Sequence, residues 1–567
     1  MTHRRAYVIF SLIMWIFFLT ALPGRQLAQE GNIIWTVAYV GKLLLVSVSL
    51  GIACGTGLTW LFVGIQPCWE RLGGDSVKRR AKHPVRCFLV SWLLIAAAWL
   101  PAWLAYYPGI CSYDITIQAE QMLSHEYIEH HPLAHTLLVE GFLRLGERMG
   151  DANIGMGLYT LLQLLVLAAA LAYGISLLYY MGKRYLWLVL LQLLGMFFPF
   201  NWYLAVSATK DILFTAFFLM LLFTLYRILA QSIDSLRPNI WDLVYVVSGT
   251  MMILFRNNGK YAFLVLLGSS LLTALFCRRN KRLYRRFFLA SLCSLILGLT
   301  LLRGLSGATG AVSGDKREML SIPIQQLART MIYHGGVGVL PEDDGSMEEA
   351  DRALIDDFIL DRAYENYRPE IADPVKSHTY THVFRYRTKE FLTTYLHLLG
   401  QFPGDYINAV LAVDAGYLYP YDVSHADINV NGRDRGLGYV QTRWVEAELL
   451  QLGVYKDSKW EGLHEALENW ADGNAYLRIS LLRHVLMPGG YLWFWLLYSG
   501  YLLWKKQYRA LLPLALVAGY FGTLLLGPTV QLRYLYPVMT ALAYALPMGK
   551  ELGMQQGKEK SLEKYRK

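Results

Sequence analysis

Long runs of apolar residues, separated by short polar segments, recur along most of the chain. The first run covers about residues 6 to 24, and the second covers about 34 to 64. A run of about 20 apolar residues can cross a bilayer as an α-helix. The first run could be a signal peptide, but we interpret it as a span because the second follows at once. The runs together predict an α-helical polytopic membrane protein with about twelve transmembrane helices.

Basic residues predict how these helices are oriented. The strongest basic segments, residues 71–86 and 277–286, fall on one side of the membrane when the predicted spans alternate. Lys and Arg concentrate in cytoplasmic loops, so this side is predicted to be the cytoplasm. Asp114 and the polar segment 304–485 are then extracytoplasmic. That segment contains no N-x-S/T glycosylation acceptor, which favours a bacterial plasma membrane over a secretory-pathway membrane.

This topology divides the chain into four predicted parts. They are a transmembrane helical domain (1–303) with an external loop at 106–150, an extracytoplasmic domain (304–485), C-terminal transmembrane helices (486–550) and a basic cytoplasmic tail (551–567). Stretches such as "IPIQQLARTMI" and "FLTTYLHLLGQF" repeat apolar residues with a helical period. The extracytoplasmic domain is therefore predicted to be mainly α.

The amino-acid composition agrees with a polytopic membrane protein and argues against a soluble protein. Of the 567 residues, 55% are hydrophobic and 17% are charged, a balance outside that of soluble proteins of this size. The net charge of +10 could indicate a nucleic-acid partner, but the basic residues cluster in short loops, where they fix topology. The sequence contains no GxxxxGK[ST] phosphate loop and no GxSxG elbow, so ATP-driven transport and serine hydrolysis lose their usual markers.

Four cations at predicted extracytoplasmic helix ends run against the topology rule. They are Lys210, Arg256, Lys260 and Arg533. An anionic ligand at the outer interface would explain them, and a lipid phosphate lies at that depth. Each could instead be a snorkelling side chain that reaches water past its aliphatic stem. Four together, each beside polar or small residues, favour a binding site.

The stretch "YYPGICSYDITIQAEQML", residues 106–123, places an acid directly after the third predicted span. A helix that starts near Ser112 or Tyr113 would carry Asp114, Gln118 and Gln121 on one face. Asp114 alone could be an ordinary helix N-terminal residue, which the helix dipole favours. The two glutamines are not needed for that role, and they indicate a polar surface beside the acid.

Two histidines, His131 and His135, follow in "HHPLAH" at a spacing that also puts them on one helical face. An H-x3-H pair can bind a metal, but zinc sites need a third protein ligand, which the neighbourhood does not supply. We therefore expect hydrogen bonding to a substrate or ordering of the loop. No cofactor is identified, and a divalent metal ion is left open.

Several of these stretches resemble the GT-C glycosyltransferases, polytopic enzymes such as protein mannosyltransferases and the aminoarabinose transferases of lipid A. The acid Asp114 followed by "HHPLAH" is similar to the first external loop of that family. The stretches "SATKDILFTAFF", "RNNGKY" and "RYLYPVMTALAYALP" are similar to its later helix ends. The chain also looks like an uncharacterised family of bacterial polytopic proteins with a "YPG..S.D...Q" loop and a stretch like "SIPIQQLAR" (321–329).

The resemblance implies a transferase that moves a sugar from a polyprenyl-phosphate donor to an envelope acceptor (glycan, lipid or protein), with inversion. Asp114 would be the general base. Lys210, Arg256, Lys260 and Arg533 would hold the donor phosphate. Sugar or acceptor would be bound by Gln118, Gln121, His131, His135, Asp211 and Asn257, and the acceptor selected by Gln325, Gln326 and Arg329 with Tyr417 and Trp444. The competing hypotheses are a lipid-linked saccharide flippase or transporter and a non-catalytic envelope assembly protein.

Overall fold

The computed structural model describes residues 2–72, 83–111, 113–230, 239–277, 281–314, 316–420, 447–472 and 478–566. Over these ranges the chain is built from helices, and its extended segments pair only as isolated bridges. The predicted α-helical class is confirmed.

In the described ranges, twelve α-helices precede residue 310. They are α1 (Thr2–Glu30), α2 (Val37–Leu72), α3 (Pro84–Ala105), α4 (Tyr113–Ser124), α5 (Leu133–Arg148), α6 (Ala152–Tyr180), α7 (Tyr185–Phe197), α8 (Pro199–Val206), α9 (Lys210–Leu229), α10 (Ile240–Phe255), α11 (Gly259–Phe276) and α12 (Lys281–Thr309). Polar caps fix several of their starts: Asp151 caps α6, Thr209 caps α9, and Asn239 forms a capping box with Asp242 at α10.

Eight helices in the described ranges are long and apolar enough to cross a membrane, or nine if the bent pair α7–α8 is one span. The chain is thus a multi-pass membrane protein. Among the remaining predicted spans, α10 and α23 (Gly489–Trp504) have 16 residues each, and the last coincides with the start of α25 (Leu532–Arg566). The number twelve stays a prediction.

The region between residues 316 and 485, which we call the central region, contains short helices. They are α13 (Ser321–His334), α14 (Glu349–Phe358), α15 (Asp373–Lys376), α16 (Thr381–Tyr386), α17 (Thr388–Gln401), α18 (Pro403–Val413), α19 (Ala415–Leu418), α20 (Ala447–Gln451), α21 (Glu461–Asp472) and α22 (Ser480–Val485), with 3-10 turns at Lys316–Met319 and Leu360–Asn366. After it come α23, a 3-10 turn (Tyr508–Ala510), α24 (Leu511–Leu525) and α25.

The central region packs in two ways. Its first part has an apolar core of its own, formed mainly by α13, α14, α17 and α18 around Ile324, Ile355 and Phe358. Its later part instead joins the core of the membrane helices through Leu449 and Val454. There the backbone amide of Lys459 donates to the carbonyl of Leu104 at 2.9 Å, so this segment lies against the end of α3.

After the break between α7 and α8, the extended segment that follows α8 pairs with the segment that precedes α4. The two helices meet at Pro199 at an angle of 49°, and a proline lacks the amide needed to continue a helix without a break. After α8 the chain is extended, and Ile110 pairs with Ser207 in a parallel bridge. Gln163 of α6 donates to the carbonyls of Ala205 (2.9 Å) and Ser207 (2.6 Å). This pairing fixes the start of α4 beside the start of α9.

Candidate functional site

One carboxylate oxygen of Asp114 contacts two cations from distant parts of the chain. Lys210 Nζ and Arg533 Nη1 each lie 2.7 Å from Asp114 Oδ2. The Asp114 side chain is 11% exposed and that of Arg533 is 4% exposed, so these ion pairs are largely withdrawn from water. Charge-assisted hydrogen bonds of this length are among the stronger interactions in proteins.

A second acid, Asp211, extends this group. Its carboxylate pairs with the guanidinium of Arg256, and its Oδ2 lies 3.5 Å from Arg533 Nη1. Arg533 thus bridges the two acids. We call the five residues Asp114, Lys210, Asp211, Arg256 and Arg533 the Asp114 cluster. It contains three cations and two carboxylates, which leaves one positive charge in excess.

Helix ends bring these residues together. Asp114, Lys210 and Arg533 lie in the first turns of α4, α9 and α25, while Arg256 is the C-terminal cap of α10. A helix dipole favours an acid in its first turn and a cation at its end, so Asp114 and Arg256 are well placed. Lys210 and Arg533 occupy first turns, where the dipole disfavours a cation. Their placement therefore needs an anion, and Asp114 supplies one.

Arg533 and Lys210 control the charge of Asp114. Burial alone would raise the pKa of this carboxyl, but Arg533 and then Lys210 outweigh burial and hold its pKa well below the usual range. Thr209, which caps α9, adds a hydroxyl 3.4 Å from Asp114 Oδ2. Asp114 is therefore a firmly ionised carboxylate and, in this arrangement, a weak base.

His131 meets the Asp114 cluster through Lys210. Its Nδ1 lies 3.1 Å from Lys210 Nζ, and burial and the Lys210 charge hold the pKa of the imidazole well below its usual value. A lysine ammonium can only donate, so Nδ1 accepts and Nε2 carries the hydrogen. In the described part of the chain that buried Nε2 has no hydrogen-bond partner. His131 therefore offers an unused donor beside the cluster.

Gln118 and His135 form a buried network behind Asp114. The Gln118 amide donates to the hydroxyl of Thr136 at 2.9 Å, and its oxygen lies 3.0 Å from His135 Nδ1. The other ring nitrogen of His135 meets the hydroxyl of Tyr159. Burial lowers the pKa of His135 to about 3, so the ring is neutral. These bonds hold α4 against α5 and α6, and a sugar-binding role for either residue stays a prediction.

Gln121 and Asn257 hold the loop between α4 and α5. Gln121 Oε1 accepts from the backbone amide of Ile128 at 3.1 Å. Asn257 Nδ2 donates at 3.1 Å to each of the carbonyls of Glu129 and His130. Both side chains therefore support the segment that carries His131. Their direct contact with a ligand also stays a prediction.

Lys260, the fourth predicted phosphate ligand, is not part of the Asp114 cluster. It lies in the first turn of α11, and its Nζ lies 5.1 Å from the ring centre of Tyr261. The three other predicted cations, Lys210, Arg256 and Arg533, converge as the sequence suggested. Their shared position at one set of helix ends agrees with a location on one side of the membrane.

Aromatic side chains enclose the arginines of the cluster. The Arg256 guanidinium lies 4.6 Å from the ring centre of Tyr534, and Arg533 Nη2 donates to the Tyr534 hydroxyl at 3.1 Å. Arg533 Nε donates to Gln531 Oε1 at 2.9 Å, and the fully buried Tyr417 lies beside the Gln531 backbone. Sequence reasoning assigned no role to Thr209, Gln531 or Tyr534, although all three flank its cations in "SATKD" and "QLRY".

The residues predicted to select an acceptor have protein partners elsewhere. Arg329 donates to Asp405 Oδ1 (3.0 Å), Asn32 Oδ1 (2.6 Å) and the carbonyl of Gly31 (3.4 Å). Gln325 Nε2 donates to the carbonyl of Arg368 at 2.7 Å, and Gln326 Nε2 to that of Tyr406 at 3.3 Å. These contacts attach α13 to its neighbours and to the α1–α2 link. Trp444 lies outside the described residues.

The chemistry of the Asp114 cluster does not suit a divalent cation. A guanidinium, that of Arg533, lies between the two carboxylates, and two further cations neutralise them. His131 and His135 face Lys210 and Tyr159 respectively, so they do not converge on a common point. Within the described residues, a group of three potential metal ligands occurs at Glu348, Asp351 and His397, on α14 and α17.

The fold and this site define a polytopic helical membrane protein with a buried ion-pair cluster at its helix ends. Residues 124–562 match the model of a family of unknown function, DUF6020, and the chain belongs to that family. The match includes Lys210, Arg256 and Arg533 and begins after Asp114. No curated protein and no solved structure matches the chain.

Proposed function

We propose that this protein is a membrane glycosyltransferase that takes a sugar from a polyprenyl-phosphate donor and passes it to an envelope acceptor on the extracytoplasmic face. The convergence of Asp114 with Lys210 and Arg533 carries the proposal. A carboxylate and two cations meet there, and Lys210 begins the candidate membrane span α9. A lipid-linked phosphate would lie at that depth.

Charge supports a phosphodiester as the ligand. The Asp114 cluster has three cations and two carboxylates, and a sugar linked through a lipid phosphate carries one negative charge. Binding would neutralise the excess in a site where uncompensated charge is costly. The unused Nε2 donor of His131 gives a further hydrogen bond to a phosphate or sugar oxygen.

The chemical step follows from these positions. Asp114 accepts the proton of the acceptor hydroxyl or amine while that group forms a bond to the anomeric carbon. The bond from the anomeric carbon to the phosphate oxygen breaks, and its electron pair stays on the phosphate. Lys210 and Arg533 stabilise the charge that develops there. Direct attack of this kind inverts the anomeric centre. Lys260 has no part in this proposal.

One observation favours a second function. Asp114 is strongly ionised without a ligand, which suits anion binding better than proton transfer. A lipid-phosphate binding or transport protein would use the same cations and need no base. Such a protein would bind polyprenyl phosphates and transfer no sugar.

Sugar transfer by the purified full-length protein tests the proposal. The assay supplies polyprenyl-phosphate sugars as donors and envelope glycans, lipids and peptides as acceptors. We expect Asp114→Asn to lower the transfer rate about 10²–10⁴-fold, the range for loss of a general base. Asp151→Asn is the matched control, because Asp151 caps α6 and Asn caps helices as well as Asp. Undiminished transfer by Asp114→Asn would refute the role of the carboxylate.

A further inference from the structure

The Asp114 carboxylate accepts the hydrogen bonds that Lys210 and Arg533 would otherwise give to a phosphate oxygen. Its Oδ2 accepts hydrogen bonds from both Lys210 and Arg533 at 2.7 Å. Both cations are therefore committed to an internal carboxylate. A donor phosphate that uses them must weaken these two ion pairs.

The proposed base is also blocked by the same two contacts. A general base works best when its pKa lies near the working pH, whereas Arg533 and Lys210 hold the pKa of Asp114 far below it. The charged and titratable groups around Asp114 are Lys210 from α9, Arg533 from α25, His130 and His131 from the α4–α5 loop and His135 from α5, with Asp211 next to Arg533. Of these charged groups, Lys210 and Arg533 donate directly to the Asp114 carboxylate, and the hydroxyl of Thr209 lies 3.4 Å from the same oxygen.

We propose that the donor phosphate and Asp114 compete for Lys210 and Arg533, so that Asp114 is released to act as a base only when a donor is bound. This inference rests on the proposed function and adds regulation to the same site. Arg256 keeps Asp211 paired throughout, so the second acid and its cation remain a fixed support.

Charge balance through the reaction supports this exchange. With a phosphodiester bound, the three cations face three single negative charges, on Asp114, Asp211 and the phosphate. After transfer the departing lipid phosphate carries two charges, and Asp114, which has taken the acceptor proton, carries none. The total stays neutral in both states. Lys210 and Arg533 only need to shift from the carboxylate towards the phosphate as the proton arrives.

Competition predicts that removing the carboxylate strengthens binding. The probe is a short polyprenyl methyl phosphodiester, which carries one charge that does not titrate near neutrality and has no sugar to transfer. We expect Asp114→Asn to bind it about tenfold more tightly than the wild type, because two charge-assisted hydrogen bonds no longer have to be given up. Asp151→Asn should bind like the wild type. Equal or weaker binding by a folded Asp114→Asn variant would overturn the inference.

The wild-type protein provides a second measurement that does not depend on folding of the variant. Asp114 released from its cations has a higher pKa than in the free protein, so binding takes up protons and tightens once the pH falls to that raised pKa, below the pH at which Asp114 acts as a base. Asp114→Asn should remove this dependence. A pH dependence that persists in Asp114→Asn would assign the proton to another group, such as His130 or His131, which both interact with Lys210. A wild-type affinity that does not change with pH would show that binding takes up no proton. Either result would contradict the release of Asp114.

These outcomes are separate from failure of the proposed function. If neither the wild type nor Asp114→Asn binds the phosphodiester, the lipid-phosphate site itself is refuted, and the competition falls with it. If both bind equally well and Asp114→Asn has lost sugar transfer, the transferase proposal survives while the competition is refuted.

Discussion

Two buried arginines, Arg533 and Arg329, are held in different ways. Arg533 pairs with two carboxylates in a cluster where cations are in excess, at a helix start that disfavours a cation. Arg329 shares its donors among Asp405, Asn32 and the carbonyl of Gly31. With His334, which also contacts Asp405 at 3.0 Å, these residues form what we call the Arg329 cluster. A cation held by one carboxylate and by neutral acceptors from several segments indicates a structural contact between those segments, whereas surplus positive charge indicates an anionic ligand.

Replacement of Arg533 should have the largest effect on activity. We expect Arg533→Met to lower sugar transfer about 10²–10³-fold, since it removes one group that stabilises the departing phosphate. Arg329→Met, measured per folded molecule, should transfer at the wild-type rate. Equal losses in the two variants would remove the functional distinction between the clusters.

Replacement of Arg329 should have the largest effect on stability. Arg329 is 1% exposed, and Arg329→Met removes its ion pair with Asp405 and its hydrogen bond to Asn32. Breaking a buried pair in this way costs about 3–5 kcal/mol of unfolding free energy. Thermal denaturation in detergent measures it. The control is Arg387→Met, whose pairs with Glu390 and Asp357 are exposed to solvent and should contribute little to stability. A stability loss no greater than that of the control would contradict the structural role.

The Arg329 cluster should also respond to pH. Burial lowers the pKa of His334, but hydrogen bonds to Asp405 and Asp344 raise it more, so it lies above the ordinary 6.5. The protonated ring therefore adds stability below pH 6.5, and this stability is lost as the pH rises through the raised value. We expect a small fall in melting temperature between pH 6 and 8, and a weaker one in His334→Gln. A rise in melting temperature over this range would contradict the ion pairs.

The smallest effect is expected at Lys260. Because Lys260 lies partly exposed beside Tyr261, Lys260→Met should change phosphodiester affinity by less than about threefold, the scale of exposed charge effects. Lys210→Met, which removes a cation 2.7 Å from Asp114, should weaken binding far more. Equal losses of phosphodiester affinity in the two variants would show that Lys260 belongs to the phosphate site.

The sequence predicted the helices and the common location of the cluster, because apolar runs and basic loops are local signals. It did not predict the break at Pro199, since hydropathy records composition and not backbone direction. Helical spacing placed Asp114, Gln118 and Gln121 on one buried face, as the structure shows. Spacing does not reveal which residues contact that face. In the structure, Gln118 bonds to Thr136 and His135, and Gln121 accepts from the backbone amide of Ile128.

The pairing of Asp114 with Arg533 has no sequence signal. The two residues are 419 positions apart, and their contact depends on the packing of α25 and on the bridge between Ile110 and Ser207. The sequence likewise marked "SIPIQQLAR" as a distinctive stretch, but not its contacts. The α1–α2 link that contacts Arg329 lies about 300 residues away in the chain. It contacts Arg329 through the side chain of Asn32 and the carbonyl of Gly31, and neither is distinctive in a sequence.

A structure of the wild-type protein with a bound polyprenyl phosphodiester would show whether the phosphate takes Lys210 and Arg533 from Asp114. We expect phosphate oxygens within about 2.7–3.2 Å of both Lys210 Nζ and the Arg533 guanidinium, with Asp114 moved away from at least one of them and Asp211 still paired with Arg256. A phosphate bound elsewhere, with both ion pairs of Asp114 intact, would contradict this expectation.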